Sequence, residues 1–102
     1  MPEEPLPVRA VLEFWAPWCA ASQPMVLHMA ALAAELEPRV AFSRINADTS
    51  PEALEERRVR VLPTLLFLDA KGREVSRLEG EIGCEEDIRG MIEGYFASAR
   101  GI

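Results

Sequence analysis

Two side chains in this sequence are spaced for sulfur chemistry: Cys19 and, three residues later, Ser22. They follow an apolar run, Val11 to Trp15, and a turn signal at Ala16-Pro17, and a long helix-forming segment comes after them. Cys19 is therefore expected at a strand-to-helix turn. A helix N-terminus offers unpaired N–H groups and a partial positive charge, which favour the nucleophilic thiolate over the thiol. A spacing of three allows both side chains to face one side of a first helical turn, so the Ser22 hydroxyl could donate a hydrogen bond to a Cys19 thiolate. Ser22 cannot form a disulfide. A buried, inert cysteine is the plain structural alternative, but it explains neither the aromatic flanks Phe14, Trp15 and Trp18 nor the placement at a turn.

The whole chain bounds what this chemistry serves. Its 102 residues support one domain over 1–102 with a modest core, and residues 1–8, with three prolines, read as an extended lead-in. A net charge of −6 argues against nucleic acid and anionic membrane as partners and favours a protein or a small thiol. The opening Met1-Pro2-Glu3-Glu4-Pro5 lacks the basic start of a signal peptide, and no apolar run approaches a membrane span, so the protein is expected to be soluble and cytoplasmic. Two cysteines, Cys19 and Cys84, and the lone His28 make neither a disulfide framework nor a zinc site. No metal and no cofactor are expected.

The elements that must position Cys19 are legible from periodicity. Arg9 to Trp15 reads as a central strand, apolar on both faces except at Glu13, whose carboxylate needs a partner if buried. Ser22 to Leu36 reads as one helix, with Pro24 in its first turn and Met25, Met29, Leu32 and Leu36 forming a core-facing stripe. His28, beside that stripe, is expected to be packed or partly exposed and not catalytic. Pro38 ends the helix, and Val40 to Asn46 is the second strand. Ser50-Pro51-Glu52 starts a short helix to about Arg57, with Ser50 as its capping residue. Val59 to Leu68 contains a strand opened by Pro63, a position where the missing ladder donor is tolerated. Asp69 to Gly72 is a turn, Arg73 to Glu79 the return strand, and a last helix runs to about Ser98 with Ile88, Met91, Ile92, Tyr95 and Phe96 inward.

Phe14-Trp15-Ala16-Pro17-Trp18-Cys19 closely resembles the active-site signature of the thioredoxin family, F-W-A-x-W-C-G-P-C. The match departs after Cys19, with Ala20-Ala21 for Gly-Pro and Ser22 for the second cysteine. Arg44 to Asp48 resembles the family's K-x-N-x-D, and Val59 to Leu68 its V-x-x-x-P-T-L-L-x-F. The resemblance implies a thioredoxin-like α/β fold. It also places Glu13 where the family has a buried aspartate that assists proton transfer, and Arg44 where a lysine lies near that acid. A Glu13–Arg44 pair is one reading of this, and a solvated edge-strand arginine is the other. The implied substrate-binding set is Trp18 from the signature, Leu62, whose backbone would pair with a substrate chain, Pro63, which would be cis and packed on the cysteine, and Gly80, where a missing side chain would let substrate approach. Leu27 stands where the family usually has a kinking proline, which implies a straighter helix.

About ten residues precede the first strand, too few for the additional strand and helix that thioredoxins carry there. The expectation is a minimal form with a four-stranded mixed sheet flanked by helices. In that form the Val40–Asn46 strand becomes a sheet edge, so the lead-in folds back over it in a monomer or two chains pair through it. Cys84, at the start of the last helix, is expected beyond the roughly 7 Å between Cα atoms that a disulfide with Cys19 would need.

Three functions fit these residues. In the first, which the motifs favour, Cys19 acts as the single nucleophile of a thiol–disulfide oxidoreductase or isomerase. Its mixed disulfides with protein substrates or glutathione would be released by an external thiol, with a thiol reductase as a further partner. In the second, a groove beside Leu62-Pro63 binds an extended peptide and Cys19 is incidental. In the third, Ser22 is an engineered replacement of a native cysteine, made to trap mixed disulfides.

Overall fold

The computed structural model describes residues 8–80 and 85–99, with side chains through residue 92. The lead-in over 1–7, Cys84 and the side chains of Tyr95 and Phe96 lie outside what is described. The elements are β1 (Ala10–Trp15), a 3₁₀ turn (Ala20–Ser22), α1 (Met25–Leu36), β2 (Ala41–Asn46), α2 (Pro51–Arg57), β3 (Thr64–Leu68), β4 (Glu74–Glu79) and α3 (Glu85–Ala99). The strands form one mixed sheet in the order β2-β1-β3-β4. β1 runs parallel to β2 and antiparallel to β3, and β3 and β4 form an antiparallel hairpin. This is the thioredoxin-like α/β architecture with a four-stranded sheet flanked by helices.

Side-chain alternation along β1 and β3 divides the core between the two faces of the sheet. Val11, Leu65 and Phe67 pack against Met25, Met29, Leu32 and Leu36 of α1 and Ile88 and Ile92 of α3. On the other face Phe14, Leu66 and Leu68 meet Val59, with Leu54 of α2 and Leu12 packed around them. All five residues of β3 are buried, as a strand covered on both faces requires. The methionine and leucine stripe of α1 is buried as its spacing predicts. Truncating a fully buried side chain such as Phe67 to alanine would cost roughly 3–5 kcal/mol.

β2 lies at an edge of the sheet among the described residues. One of its N–H groups is covered locally: Phe42 N donates to Glu37 Oε2 at 3.4 Å. At the far end of the sheet Gly72 adopts φ +80 in the β3–β4 turn, a conformation that glycine takes without steric cost.

Two local expectations are corrected. The segment Ser22–Leu36 is not one helix: a 3₁₀ turn precedes α1, and Met25 is the first α-helical residue. Pro24 has no N–H to give the Ala20 carbonyl, so Gln23 N bonds Ala20 O instead, in an i→i−3 step that breaks the α ladder. Beyond this break the twelve residues of α1 continue past Leu27 without interruption. Ser50 does occupy the N-cap position of α2, with Pro51 first in the helix, but its side chain makes no capping bond. Its ψ of 57 lies outside the extended region from which a capping hydroxyl reaches the first-turn N–H groups.

Candidate active site around Cys19

β1 ends at Trp15, and the chain turns through Ala16, Pro17 and Trp18, with Cys19 N donating to Ala16 O at 3.1 Å. Cys19 is half-buried, and it caps the 3₁₀ turn in an extended conformation, φ −92 and ψ 107. Its Sγ lies 3.7 Å from the Leu62 carbonyl oxygen, to which the thiol donates. The opposing loop is held in place from both sides. Thr64 Oγ1 donates to Val61 O at 2.6 Å, and Gly80 N donates to Pro63 O at 2.9 Å. The Leu62–Pro63 peptide bond is cis, as is Glu37–Pro38. Gly80 itself has φ +81, and a methyl group added there would meet Val61 Cγ1 at 3.8 Å.

Ser22 is buried, and its Oγ has no hydrogen-bond partner. The expected Ser22–Cys19 side-chain bond is therefore absent from this state. The extended backbone of Cys19 sends Sγ toward Leu62, while Ser22, inside the 3₁₀ turn, points inward. The expected α-helix N-terminus is also displaced, since α1 begins six residues after Cys19 and a helix field fades within its first turn. Beside the cysteine remains a buried, unused hydroxyl, and such groups are uncommon because burial without a partner costs about 1–3 kcal/mol.

Glu13 is fully buried, directly opposite Arg44 in the parallel β1–β2 register. Arg44 Nε donates to Oε1 at 2.6 Å and Nη2 to Oε2 at 3.2 Å, while the guanidinium carbon lies 4.4 Å from the centre of the Trp15 ring. The fork geometry engages both carboxylate oxygens, and the stacked indole covers the charge. The structure thus joins Glu13 to Arg44, and no bond between Glu13 and Cys19 occurs among the described residues. His28 stands 3.7 Å from Glu85 of α3, away from this set, where it links two helices.

Trp18 is 68% exposed, yet it is fixed, its Nε1 donating to Asp48 Oδ1 at 2.9 Å. Asp48 is oriented in turn by its own N–H bond to Asn46 Oδ1 at 2.8 Å. Val61, 42% exposed, precedes Leu62 in the loop whose carbonyl the Cys19 thiol meets. Sequence reasoning missed Asp48, Val61 and Thr64 as parts of the site. Asp48 stood within a quoted motif, but a bond across thirty positions has no local signal. What the arrangement offers is a partly accessible thiol against a pinned loop, with an oriented indole one residue before it in the chain and a spare buried hydroxyl three residues after it. Among the described residues no cluster of three metal-ligating side chains occurs, and no helix is long and apolar enough to cross a membrane.

Residues 7–93 match the family model described as Thioredoxin. The chain is 39% identical over 71 residues to the thioredoxin of Chlamydia trachomatis, covering 69% of this chain and 67% of that protein. It is also 39% identical over 70 residues to glutaredoxin-3 of Homo sapiens, where the match covers 69% of this chain and spans only 20% of the longer relative. Among solved structures, Fasciola hepatica thioredoxin superposes with a TM-score of 0.76 at 31% identity, covering 87% of this chain and 83% of that one.

Proposed function

The chain belongs to the thioredoxin family, and from that premise we propose that it is a monothiol thiol–disulfide exchange protein acting through Cys19. The observation that carries this reading is the pairing of a half-buried Cys19 with a buried Ser22 whose hydroxyl has no partner. When Cys19 loses its proton, the thiol no longer donates to Leu62 O, and the thiolate becomes an acceptor in need of donors. Ser22 Oγ supplies one after a rotamer change. The hydroxyl left idle in the thiol state is engaged in the nucleophilic state.

The Cys19 thiolate attacks one sulfur of a substrate disulfide, forming a mixed disulfide and expelling the other sulfur as a thiolate. Ser22 cannot repeat that attack. A second thiol, from glutathione or from the substrate itself, attacks the mixed disulfide and regenerates Cys19. Over the two steps one disulfide is exchanged for another with no net change in the protein. The release of Leu62 O from the thiol leaves that carbonyl free to accept an N–H of an extended substrate chain, with Pro63 and Gly80 bordering the same channel. Exposed Trp18 and Val61 give apolar flanks suited to a protein disulfide. Glu13 and Arg44 fix the end of β1 from which the Cys19 turn departs, a positioning role.

Turnover of insulin disulfides with a dithiol-dependent reductase tests the reading. The unaltered chain is expected to turn over poorly and to accumulate as a mixed disulfide, and Ser22→Cys to restore turnover. Efficient turnover by the unaltered chain contradicts it.

A further inference from the structure

We propose that the concavity between the end of α2 and the segment leading to Pro63 binds the acidic, apolar-flanked segment of a partner polypeptide. The cavity has a volume of about 440 Å³ and is lined by Leu54, Glu55, Arg58, Val59 and Arg60. It stands apart from the Cys19 site and uses none of its chemistry.

Four arginine side chains have no partner among the described residues, Arg9, Arg39, Arg58 and Arg60, and two of them line this hollow. Arg44 is committed to Glu13, Arg73 to Asp69, Arg77 to Glu74 and Glu79, and Arg89 to Glu35 and Glu85. The Arg58 and Arg60 guanidiniums have no partner among the described residues, and both line the same hollow. Leu54 and Val59 give it an apolar wall. Glu55 lines the hollow too, but two guanidiniums against one carboxylate leave it net positive, and a ligand with a carboxylate beside an aliphatic group satisfies both surfaces, since guanidinium binds carboxylate through two parallel N–H donors.

The hollow is also built rigidly. Arg58 takes the left-handed conformation, φ 57 and ψ 45, at the end of α2. The carbonyls of Arg57 and Arg58 are both held by Arg77, at 2.9 and 3.2 Å, and Arg77 is itself clamped by Glu74 at 2.6 Å and Glu79 at 3.0 Å. Val59 N closes back on Leu54 O at 2.9 Å. A non-glycine residue in this backbone region costs about 1 kcal/mol and is kept because the surroundings over-determine it. The two arginines thus project from a fixed frame, which lowers the ordering cost of binding.

In a chain of net charge −6, the pair does not steer acidic partners from afar. It discriminates within a Debye length of about 8 Å, once contact is made.

The test uses the full chain with its thiols capped by iodoacetamide, so that failure here is separable from failure of the exchange reading. The peptide acetyl-Leu-Asp-Glu-Leu-amide is titrated into labelled protein and followed by amide shifts, beside a counterpart with lysine for both acids. We expect saturable shifts at Leu54, Val59 and Arg60 with the acidic peptide only, weakened at least about tenfold by Arg58→Asn with Arg60→Gln. Asparagine tolerates the left-handed backbone, so the variant keeps the frame. Equal binding of the lysine peptide, shifts confined to other surfaces, or unchanged affinity in the double variant overturns the proposal.

Discussion

Arg44 faces Glu13 across the parallel β1–β2 pair and occupies both of its carboxylate oxygens, at 2.6 and 3.2 Å. This bidentate grip allows a fully buried acid in a strand otherwise made of apolar residues and alanine. Removing only the arginine strands a buried carboxylate, whereas removing both groups leaves an apolar contact. Arg44→Leu is expected to cost about 3 kcal/mol in urea unfolding, the low end for a broken buried pair because Arg44 keeps 30% exposure. Glu13→Leu combined with Arg44→Leu should recover most of that loss. A double variant as unstable as the single one would show that the pair is not the cause.

Ser22→Ala separates stability from reactivity. Deleting an unpaired buried hydroxyl should raise unfolding stability by about 1 kcal/mol, while removing a donor to the Cys19 thiolate should slow its alkylation by iodoacetamide about fivefold near neutral pH. A variant that is destabilised, or that alkylates as fast as the parent, contradicts the role assigned to the hydroxyl.

Asp69 sets part of the acid limb of stability. The Arg73 backbone N–H, then the Lys71 N–H and the Arg73 guanidinium, stabilise its ionised form and hold its pKa below the ordinary carboxylate value against the opposing effect of burial. A depressed folded pKa contributes stability that is present above the unfolded pKa of about 3.9 and is lost as pH falls through the folded value. The Tm difference between the parent and Asp69→Asn should be constant at higher pH and close below about pH 4. A difference that persists or widens in acid would refute this.

How much of this was legible follows from the range over which each interaction acts. The α1 stripe, the loop before β3 and the edge position of β2 all announced themselves through local period or motif, whereas Arg44 was left open between a pair with Glu13 and a solvated edge-strand arginine. The break at Pro24 was also written locally, as a missing N–H, but the continuous apolar stripe around it favoured reading one helix. Rotation of Cys19 toward Leu62 was not legible, because it depends on a backbone angle and a carbonyl 43 residues away. The hold of Asp48 on Trp18, across thirty positions, is likewise a product of the fold.

The Trp18–Asp48 bond gives a further expectation. Asp48→Ala should change stability by less than about 0.5–1 kcal/mol, as an exposed contact does, yet speed hydrogen exchange at the Trp18 indole N–H and leave that of Trp15 unaffected. Unchanged exchange at Trp18 would mean the indole is fixed by something else.

The central claim is that Cys19 exchanges disulfides alone, and intact mass tests it most directly. Reduced protein carrying Cys84→Ala is mixed with oxidised glutathione, weighed, and weighed again after excess reduced glutathione. The account predicts one glutathione adduct, absent in Cys19→Ser and removed by the added thiol. An unmodified mass at the first weighing, or an adduct that survives the second, would contradict it.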